Sequence, residues 1–232
     1  MTGVGCVIPA AGKGERLGGP VSKALRDLGG APLLEHAVRA IAACRAVTHI
    51  VVAAPEHLLE EFSSAIAGLD TVADLHVTAG GASRTSSVRL GLAALPTGID
   101  TVLVHDAARP LVPPEVVESV VAALKSGAQA VVPVTRVVDT IKQIDAAGRV
   151  VSTLDRSTLR SVQTPQGFRR EVLTEALRLA RGERTDDAAH VEAIGVPVLV
   201  VPGHEDALKV TRPIDLLTAE ALLRRRMAAR VN

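Results

Sequence analysis

Short apolar runs alternate with helix-period segments along most of this chain. The apolar runs, each bounded by glycine, proline or polar residues, lie at 6–8, 49–52, 75–77, 102–104, 130–132 and 198–201. Segments with helical periodicity lie between most of them, at about 33–46, 56–68, 83–95, 114–126 and 170–182. Apolar strands that alternate with amphipathic helices are typical of a parallel sheet, because each helix carries the chain back to the starting edge. The sequence therefore predicts an α/β fold with a mainly parallel sheet and helices on both faces.

One stretch, residues 135–166, breaks this alternation. Two short strand-like pieces, 139–144 and 150–154, flank a turn centred on Gly148, which is the pattern of a β-hairpin. An isolated two-stranded hairpin is only marginally stable in water, so this arm should pack on something else. A second copy of the chain is the simplest candidate. We expect a single domain over residues 1–232, with 135–166 as a protruding hairpin arm, and a homodimer.

The composition argues against several classes of function. With a net charge of +1, no tryptophan, no tyrosine and two phenylalanines, the chain has neither the basic field nor the aromatic platforms of a nucleic-acid-binding protein. Its apolar runs are too short to cross a bilayer, and residues 1–10 lack the pattern of a secretory signal. Cys6 and Cys44 form neither a CxxC motif nor a metal-ligand spacing. We therefore expect a cytoplasmic protein with reduced thiols and with no nucleic-acid or membrane partner.

The first predicted strand runs into a glycine-containing loop, residues 10–16. In an open parallel sheet, ligands bind beyond the carboxyl ends of the strands, and a loop at this place suits a phosphate. Gly12 and Gly14 lack Cβ atoms, so successive backbone N–H groups can turn toward one set of anionic oxygens. The loop fits neither a Walker A motif nor a dinucleotide fingerprint. Arg16 and Lys23 add two cations for a triphosphate; the alternative is an ordinary turn with solvated cations.

A carboxylate follows the predicted strand at 102–104. Asp106 leaves that strand at its carboxyl end, where an oxygen ligand suits a hard cation that bridges phosphates. We predict that Asp106 holds Mg²⁺; the alternative is a turn aspartate that bonds to its own backbone. His105 is interpreted as a hydrogen-bonded core histidine without a chemical role. Arg109 either meets an anionic substrate or pairs with Asp106.

An ordered set of motifs covers nearly the whole chain. The motifs are 9–16 with Lys23, 80–88, 104–110, 139–140, 155–156, 163–166, 185–187 and 209–211. Together they resemble the 2-C-methyl-D-erythritol 4-phosphate cytidylyltransferases of isoprenoid precursor synthesis. The resemblance implies a Rossmann-like nucleotidyltransferase fold and a transfer of CMP from CTP to that sugar-alcohol phosphate, with Mg²⁺ and with release of pyrophosphate.

The resemblance also implies a role for individual residues. A nucleotide-binding set would surround cytosine and ribose: Ala10, Ala11, Gly12, Gly14, Gly81, Arg84 and Ser87. Arg16, Lys23 and Lys209 would be the catalytic cations, and Asp106 would organise the metal. An acceptor-binding set would consist of Arg109, Thr140, Arg156 and Thr164, with Thr140 and Arg156 reaching the neighbouring subunit's site from the arm. Many relatives carry an aspartate at the position of Ala82, and alanine removes one possible contact to ribose or base.

The implied reaction needs no general base. A phosphate monoester is already ionised near neutral pH, with a second pKa of about 6, so its oxygen can attack the α-phosphorus of CTP directly. Positioning and charge stabilisation then carry the rate. Arg16, Lys23, Lys209 and the metal at Asp106 would neutralise the charge that develops on the transferred phosphate and on pyrophosphate.

Three alternatives stay open from the sequence. A cytidylyltransferase for ribitol phosphate or another polyol phosphate would keep the same nucleotide loop and aspartate. A catalytically silent nucleotide-binding protein could share the scaffold, although the joint retention of Arg16, Lys23, Asp106 and Lys209 speaks against decay. A sugar-nucleotide transferase of the glycosyltransferase type usually binds its metal through an Asp-x-Asp motif, and the two alanines after Asp106 argue against that class.

A basic run lies near the end of the sequence. It consists of Arg224, Arg225 and Arg226, followed by Arg230. Such a run could indicate an acidic partner. Cations at a helix C-terminus complement the helix dipole and are usually solvated, and this is the interpretation we adopt.

Overall fold

The computed structural model describes residues 3–12 and 22–231 of the chain. That part of the chain contains the strands β1 (Val4–Pro9), β2 (Asp27–Leu28), β3 (Ala31–Pro32), β4 (Val47–Ala54), β5 (Asp74–Ala79), β6 (Thr101–Val104), β7 (Ala130–Arg136), β8 (Lys142–Ile144), β9 (Val150–Thr153), β10 (Arg160–Val162), β11 (Gln166–Arg169) and β12 (Val198–Pro202). Its α-helices are α1 (Leu33–Ala42), α2 (Leu59–Ile66), α3 (Arg84–Ala94), α4 (Pro114–Lys125), α5 (Arg170–Leu179), α6 (Ala188–Glu192) and α7 (Pro213–Val231). The predicted strands and helices are all present, with boundaries that differ by a few residues.

Eight strands form one sheet in the order β10-β7-β11-β6-β1-β4-β5, and β12 pairs with β7 on the edge opposite to β11. Within this sheet β1 is parallel to β4 and β6, β4 is parallel to β5, and β12 is parallel to β7. The two antiparallel members are β10 and β11. The predicted fold class, a mainly parallel Rossmann-like sheet with helices on both faces, is confirmed.

Strand β11 is an insertion that the sequence pattern did not predict. It runs antiparallel between β6 and β7, and Phe168 pairs with Val102 on one side and with Ala130 on the other. Phe168 is fully buried, but it is the one large apolar side chain in a four-residue strand, which is too little for a recognisable period. Gly167 lets α4 approach, because a Cβ there would lie 2.5 Å from a methyl group of Val120.

Alternate residues of β1 pack into two separate layers of core. Cys6 and Ile8 belong to a cluster with buried side chains of α1, α2 and α4, whereas Val7 belongs to a cluster with buried side chains of α3, α5 and α6. This alternation is the period of two that a strand imposes on its side chains. The sheet is therefore covered by helices on both faces, and its central strands are buried on both sides.

The hairpin arm is present but shorter than predicted. Strands β8 and β9 pair antiparallel as a separate two-stranded sheet, and Gly148 supplies a φ of 77° at the turn between them. Residues 135–136 and 160–162 lie in the main sheet instead, because β10 pairs antiparallel with the end of β7. The free part of the arm therefore lies between Arg136 and Arg160, inside the predicted range 135–166.

Helix α7 carries the basic run, as the interpretation of that run assumed, and its first half packs on the short β2–β3 hairpin. The small core between them consists of Leu28, Leu33, Leu111, Val210 and Ala219. The basic run on this helix is not simply solvated, since Arg225 and Arg226 both bind the carboxylate of Asp206, at 2.7 and 2.8 Å. The interpretation as solvated cations is wrong for these two arginines; it fits Arg224, whose side chain is 72% exposed.

Two simpler sequence expectations concern membranes and cysteines. Among the helices in residues 3–12 and 22–231, none has both the length and the apolar character to cross a bilayer. Cys6 and Cys44 are buried and free of disulfides, and burial raises the pKa of the Cys6 thiol far above its usual range. Both thiols are therefore ordinary core side chains.

Candidate active site

A pocket of about 290 Å³ opens beyond the carboxyl end of β1. Strand β1 lies between β4, which follows it in the chain, and β6, so the connections on its two sides lead toward opposite edges of the sheet. A crevice forms at such a switch point because neighbouring loops diverge there. Residues from four loops and from the start of α3 line this pocket: Pro9, Ala10, Ala11, Gly12, Lys23, Ala24, Gly81, Ala82, Ser83, Arg84, Ser87, Asp106, Ala107, Ala108 and Lys209.

Most of the predicted site residues come together in this pocket. Lys23 and Asp106, on which the sequence-based hypothesis depended, line the same cavity. They are joined there by the other catalytic and nucleotide-binding candidates within the described residues, namely Lys209, Ala10, Ala11, Gly12, Gly81, Arg84 and Ser87. Gly14 and Arg16 lie outside the described residues, and their predicted roles stay predictions.

The loop after β5 is held tightly against the loop after β1. A Cβ on Gly80 would lie 2.6 Å from the Cβ of Ala11, so the close approach of the two loops requires glycine at this position. The Gly81 N–H donates to the hydroxyl of Ser87 at 3.1 Å, and that hydroxyl donates to the Ser83 carbonyl at 2.8 Å. Ser87 thus fixes one wall of the pocket; the nucleotide contact predicted for it stays a prediction.

Helix α3 begins at the pocket with a reciprocal cap. The Ser86 N–H donates to the Ser83 hydroxyl at 3.1 Å, and the Ser83 N–H donates to the Ser86 hydroxyl at 2.9 Å. The first turn has no acidic residue of its own, but the carboxylate of Glu183 accepts from the Thr85 N–H at 3.4 Å and from the Thr85 hydroxyl at 3.0 Å. The start of α3 therefore stabilises an anion, which within this chain is the Glu183 carboxylate, and Arg84 adds a cation beside it.

Asp106 is a buried carboxylate between two cations. Its side chain is 11% exposed; one oxygen lies 2.6 Å from the Lys209 ammonium and the other lies 3.3 Å from the Arg84 guanidinium. Burial alone would raise the pKa of Asp106, but the charges of Arg84, Lys209 and Arg109 outweigh it and hold the pKa well below its usual range. Asp106 is therefore ionised at neutral pH and brings Lys209, from the far end of the sequence, into the pocket.

Asp187, to which the sequence analysis assigned no individual role, pairs with the pocket residue Arg84. Its carboxylate lies 2.6 Å from the Arg84 guanidinium, its side chain is 1% exposed, and its second oxygen has no hydrogen-bond partner among residues 3–12 and 22–231. Burial raises the pKa of Asp187, and the charge of Arg84 partly opposes that rise. Arg84 therefore bridges Asp187 and Asp106. The signal in the sequence was the pair of aspartates at 186–187, which no periodicity explained.

Thr164 and His105 hold the backbone of Asp106. The His105 Nε2 lies 3.1 Å from the Arg109 carbonyl, which can only accept, so Nε2 carries the hydrogen. The other ring nitrogen, Nδ1, then accepts from the Thr164 hydroxyl at 3.0 Å, and that hydroxyl accepts from the Asp106 N–H at 3.0 Å. Burial lowers the pKa of His105 to about 4, so the neutral ring that this arrangement requires is present at pH 7. His105 is a hydrogen-bonded core residue.

The predicted acceptor-binding residues lie at the edge of this pocket or beyond it. Arg109 donates to the Ala207 carbonyl at 2.6 Å and to the Val162 carbonyl at 3.2 Å. Thr164 is buried and its hydroxyl is engaged as described. Thr140 and Arg156 belong to the arm rather than to the lining of the pocket, and Arg156 donates to the carbonyl of Val138. Acceptor binding stays a prediction for all four residues.

The sheet has its switch point at β1, and cations from several segments surround the cavity at that point, beside the start of α3. This arrangement is the one expected of a nucleotidyltransferase. The sequence agrees with this class. A sequence model of one family, described as "IspD: 2-C-methyl-D-erythritol 4-phosphate cytidylyltransferase", matches residues 4–225, and the chain belongs to this family.

Individual relatives give the same result. The chain is 54% identical to the 2-C-methyl-D-erythritol 4-phosphate cytidylyltransferase of Frankia casuarinae, over 96% of this chain and 82% of the relative. It is 54% identical to the protein of the same name in Streptomyces avermitilis, over 95% of this chain and 91% of the relative. Among solved structures, that of the cytidylyltransferase of the same name from Thermus thermophilus is similar with a TM-score of 0.76 and 37% identity, over 96% of this chain and 99% of that one.

Proposed function

We propose that this chain transfers CMP from CTP to 2-C-methyl-D-erythritol 4-phosphate and releases pyrophosphate, as a step of the non-mevalonate isoprenoid pathway. The observation that carries the proposal is the convergence of Lys23, Lys209 and Arg84 on the pocket at the end of β1, beside Asp106. Lys23, Asp106 and Lys209 come from three separate connecting segments, and Arg84 comes from the start of α3. The two lysines and a metal at Asp106 would supply the charges that the predicted reaction requires, and Arg84 would border the nucleotide. Membership of the cytidylyltransferase family supports the choice of nucleotide and acceptor.

The nucleotide would lie against the glycine-containing loop and the start of α3. Gly12 borders the pocket, and no atom of the part of the chain that the structure describes lies within 4 Å of the position that its Cβ would occupy. Those residues therefore leave room for a ligand to approach the backbone there. The backbone near Ala10 and Ala11 and the capped turn at Ser83 offer hydrogen-bonding groups to base and ribose. This arrangement supports the nucleotide-binding roles predicted from the sequence.

Catalysis would depend on placed charges. An oxygen of the acceptor's phosphate attacks the α-phosphorus of CTP, the bond from that phosphorus to the bridging oxygen breaks, and pyrophosphate leaves with the electron pair. Lys23 and Lys209 stabilise the negative charge on the transferred phosphate and the leaving group. The acceptor's phosphate is already ionised at neutral pH, so none of the pocket residues has to remove a proton.

Asp106 suits a metal ion that arrives with the nucleotide. Groups of three or more potential ligand side chains are absent from residues 3–12 and 22–231, so a site built from protein side chains alone does not occur there. Mg²⁺ takes one or two carboxylates and completes its shell with substrate phosphates and water. The Asp106 carboxylate has about four lone-pair sites, of which Lys209 and Arg84 use two. Asp106 would hold Mg²⁺, which supplies further charge neutralisation at the phosphates.

The acceptor site would be completed by a second copy of the chain. The free part of the arm exposes large apolar side chains, namely Val138, Ile144, Val150, Val151 and Leu154. Its two strands form a sheet of their own, which is marginal without a partner. A homodimer that covers these side chains would carry Thr140 and Arg156 of the arm to the neighbouring pocket, next to Arg109 and Thr164.

One assay tests the proposal directly. Purified protein with Mg²⁺ is given each of the four nucleoside triphosphates in turn, with 2-C-methyl-D-erythritol 4-phosphate as acceptor, and pyrophosphate is followed over time. We expect release with CTP and with this acceptor. Faster release with ribitol phosphate would shift the function to another polyol phosphate. Stabilisation of the fold by CTP without any turnover would support a silent nucleotide-binding protein instead.

A further inference from the structure

We propose that Arg226 is a positioning residue, which fastens together the two loops that carry Asp106 and Lys209. Its guanidinium donates to the Leu111 carbonyl at 2.8 Å and to the Asp206 carboxylate at 2.8 and 3.1 Å. Leu111 lies on the loop after Asp106, and Asp206 lies just before Lys209 in the chain. One side chain from α7 therefore contacts both catalytic loops. The proposal rests on the proposed function of the pocket.

The Asp206 carboxylate is the anchor of the second loop. Its side chain is 9% exposed and receives Arg225 at 2.7 Å in addition to Arg226. Burial would raise the pKa of Asp206, but the bonds and charges of these two arginines outweigh it and lower the pKa. Asp206 therefore stays ionised, and it fixes the short helical turn at Glu205–Ala207 from which the chain runs to Lys209.

The two loops also meet at their backbones, closer to the pocket. The Val210 N–H donates to the Ala108 carbonyl at 2.8 Å, and Arg109 donates to the Ala207 carbonyl at 2.6 Å. These contacts hold one end of the loop pair, and Arg226 holds the other end. The side chain of Lys209 is long and flexible, so it does not fix the position of its own ammonium. We expect that position to depend on the contact with Asp106 and on a backbone that is held at both ends.

The neighbouring Arg224 shows that this role is particular to one position of the basic run. Its side chain is 72% exposed, and its partner is Glu220 on the same helix at 3.9 Å. The Arg226 side chain is 30% exposed and has partners on two other segments. The planar guanidinium suits Arg226 because its separate N–H groups can serve a carboxylate and a carbonyl at once. Arg224 is therefore a matched control.

The first test compares Arg226→Ala with Arg224→Ala. We expect Arg226→Ala to lower kcat by about ten- to a hundredfold, because small displacements of a catalytic group cost rates of this order. The KM for CTP should change much less, and Arg224→Ala should behave as the parent protein. Arg226→Lys, which can reach only one of the two partners, should recover part of the loss. Equal rates for Arg226→Ala and the parent protein would overturn the proposal.

A double-mutant cycle separates positioning from general stability. If Arg226 acts through Lys209, then Arg226→Ala should have little further effect on kcat once Lys209 is replaced by alanine. Losses that multiply in the double variant would contradict the proposal, since they would show that the two residues act independently. Asp206→Asn is the second variant if Arg226→Ala does not fold, and the same non-additivity with Lys209→Ala is expected.

A third measurement does not depend on turnover. Acetylation by an amine-reactive reagent is quantified by mass spectrometry for Lys209 and for Lys125, which lies in the last turn of α4. We expect Arg226→Ala to increase the labelling of Lys209 several-fold, because the ammonium leaves Asp106 more often, and to leave Lys125 unchanged. Unchanged labelling of Lys209 would refute the positioning role, whereas a parent protein that releases no pyrophosphate would refute the proposed function instead.

Discussion

The pocket and the arm place side chains in opposite kinds of environment: the pocket buries charged side chains, and the arm exposes apolar ones. In the pocket, charged side chains are buried but paired: Asp106 and Asp187 share Arg84, and Lys209 closes the second side of Asp106. In the arm, apolar side chains such as Val151 are left exposed by a two-stranded sheet with no core of its own. Burial of a charge without a partner costs several kcal/mol of folding free energy, whereas an exposed valine costs little. A patch of exposed apolar side chains instead favours association with another molecule.

This contrast indicates how the labour is divided. The pairing in the pocket is satisfied within one chain, so nucleotide binding should not depend on assembly. The apolar side chains of the arm are not covered within one chain, so the structure of the arm should depend on a partner. Any acceptor contact that the arm makes should depend on that partner too.

Replacement of Lys23 tests the pocket most strongly. Lys23→Ala should lower kcat by about 10² to 10³, which is the usual loss for one preorganised charge donor. Pyrophosphate release at saturating CTP is the measurement, and Lys125→Ala, on the outer end of α4, is the control. Normal turnover of Lys23→Ala would remove this residue from catalysis.

Acid should weaken the side of the pocket that His105 supports. The folded pKa of His105 is about 4, below the value of 6.5 for a free histidine, so the unfolded chain binds a proton first as the pH falls. Stability that is present above pH 6.5 should therefore be lost between pH 6.5 and pH 4, by roughly 3 kcal/mol if the group acts alone. Urea unfolding across this range should show a flatter profile for His105→Asn than for the exposed control His57→Asn. Identical profiles would contradict the assignment.

A charge on the arm should break the dimer and spare the pocket. Val151→Asp places a carboxylate where the proposed interface is apolar, and the dissociation constant of the dimer should rise by about a hundredfold. Sedimentation over a concentration series measures this rise, while the affinity for CTP should stay at its parental value. Val72→Asp, at an apolar side chain 80% exposed outside the arm, is the control. A parent chain that sediments as a monomer at micromolar concentration would remove the interface altogether.

Removal of Arg156 should affect one substrate. Arg156→Ala should raise the KM for the acceptor by about tenfold and leave the KM for CTP unchanged, because its proposed partner is the acceptor's phosphate. Arg149→Ala, in the turn of the same hairpin, controls for loss of arm structure. Equal increases in both KM values would show that the arm does not separate the two substrates.

The sequence could predict the parts of the fold that have a recognisable hydrophobic pattern, either a continuous apolar run or a helical period. The runs at β1, β4, β6 and β12 are continuous apolar strands, and the intervening helices carry their own period of 3.6. The glycine-containing loop and Asp106 were predictable for a related reason, since the end of a buried strand is a known place in such a sheet. Their meeting in one pocket followed from topology alone.

The parts that sequence reasoning missed depend on contacts between distant segments. A single large apolar side chain, Phe168, is not enough to predict β11. The bounds of the helix that carries Arg226 could not be predicted, because this helix has no strong apolar face. The pairing of Arg84 with Asp187, and of Arg226 with Asp206, joins residues that no local pattern relates. Arg226 was interpreted as solvated because the dipole of its own helix was the only partner visible in the sequence.

The return of the chain through β10 has a mechanical consequence. The arm leaves the sheet at the end of β7 and returns through β10, which pairs with that same end of β7. Both ends of the arm are therefore attached to one strand. Shortly after β10 the chain reaches Thr164, whose hydroxyl accepts a hydrogen bond from the Asp106 N–H. We therefore predict that binding of a second copy of the chain to the arm would also act on the backbone of Asp106, which would couple assembly to the geometry of the pocket. Insertion of residues at Gly148 should not affect the pocket, because it leaves the pairing of β10 with β7 and the contact between Thr164 and Asp106 unchanged.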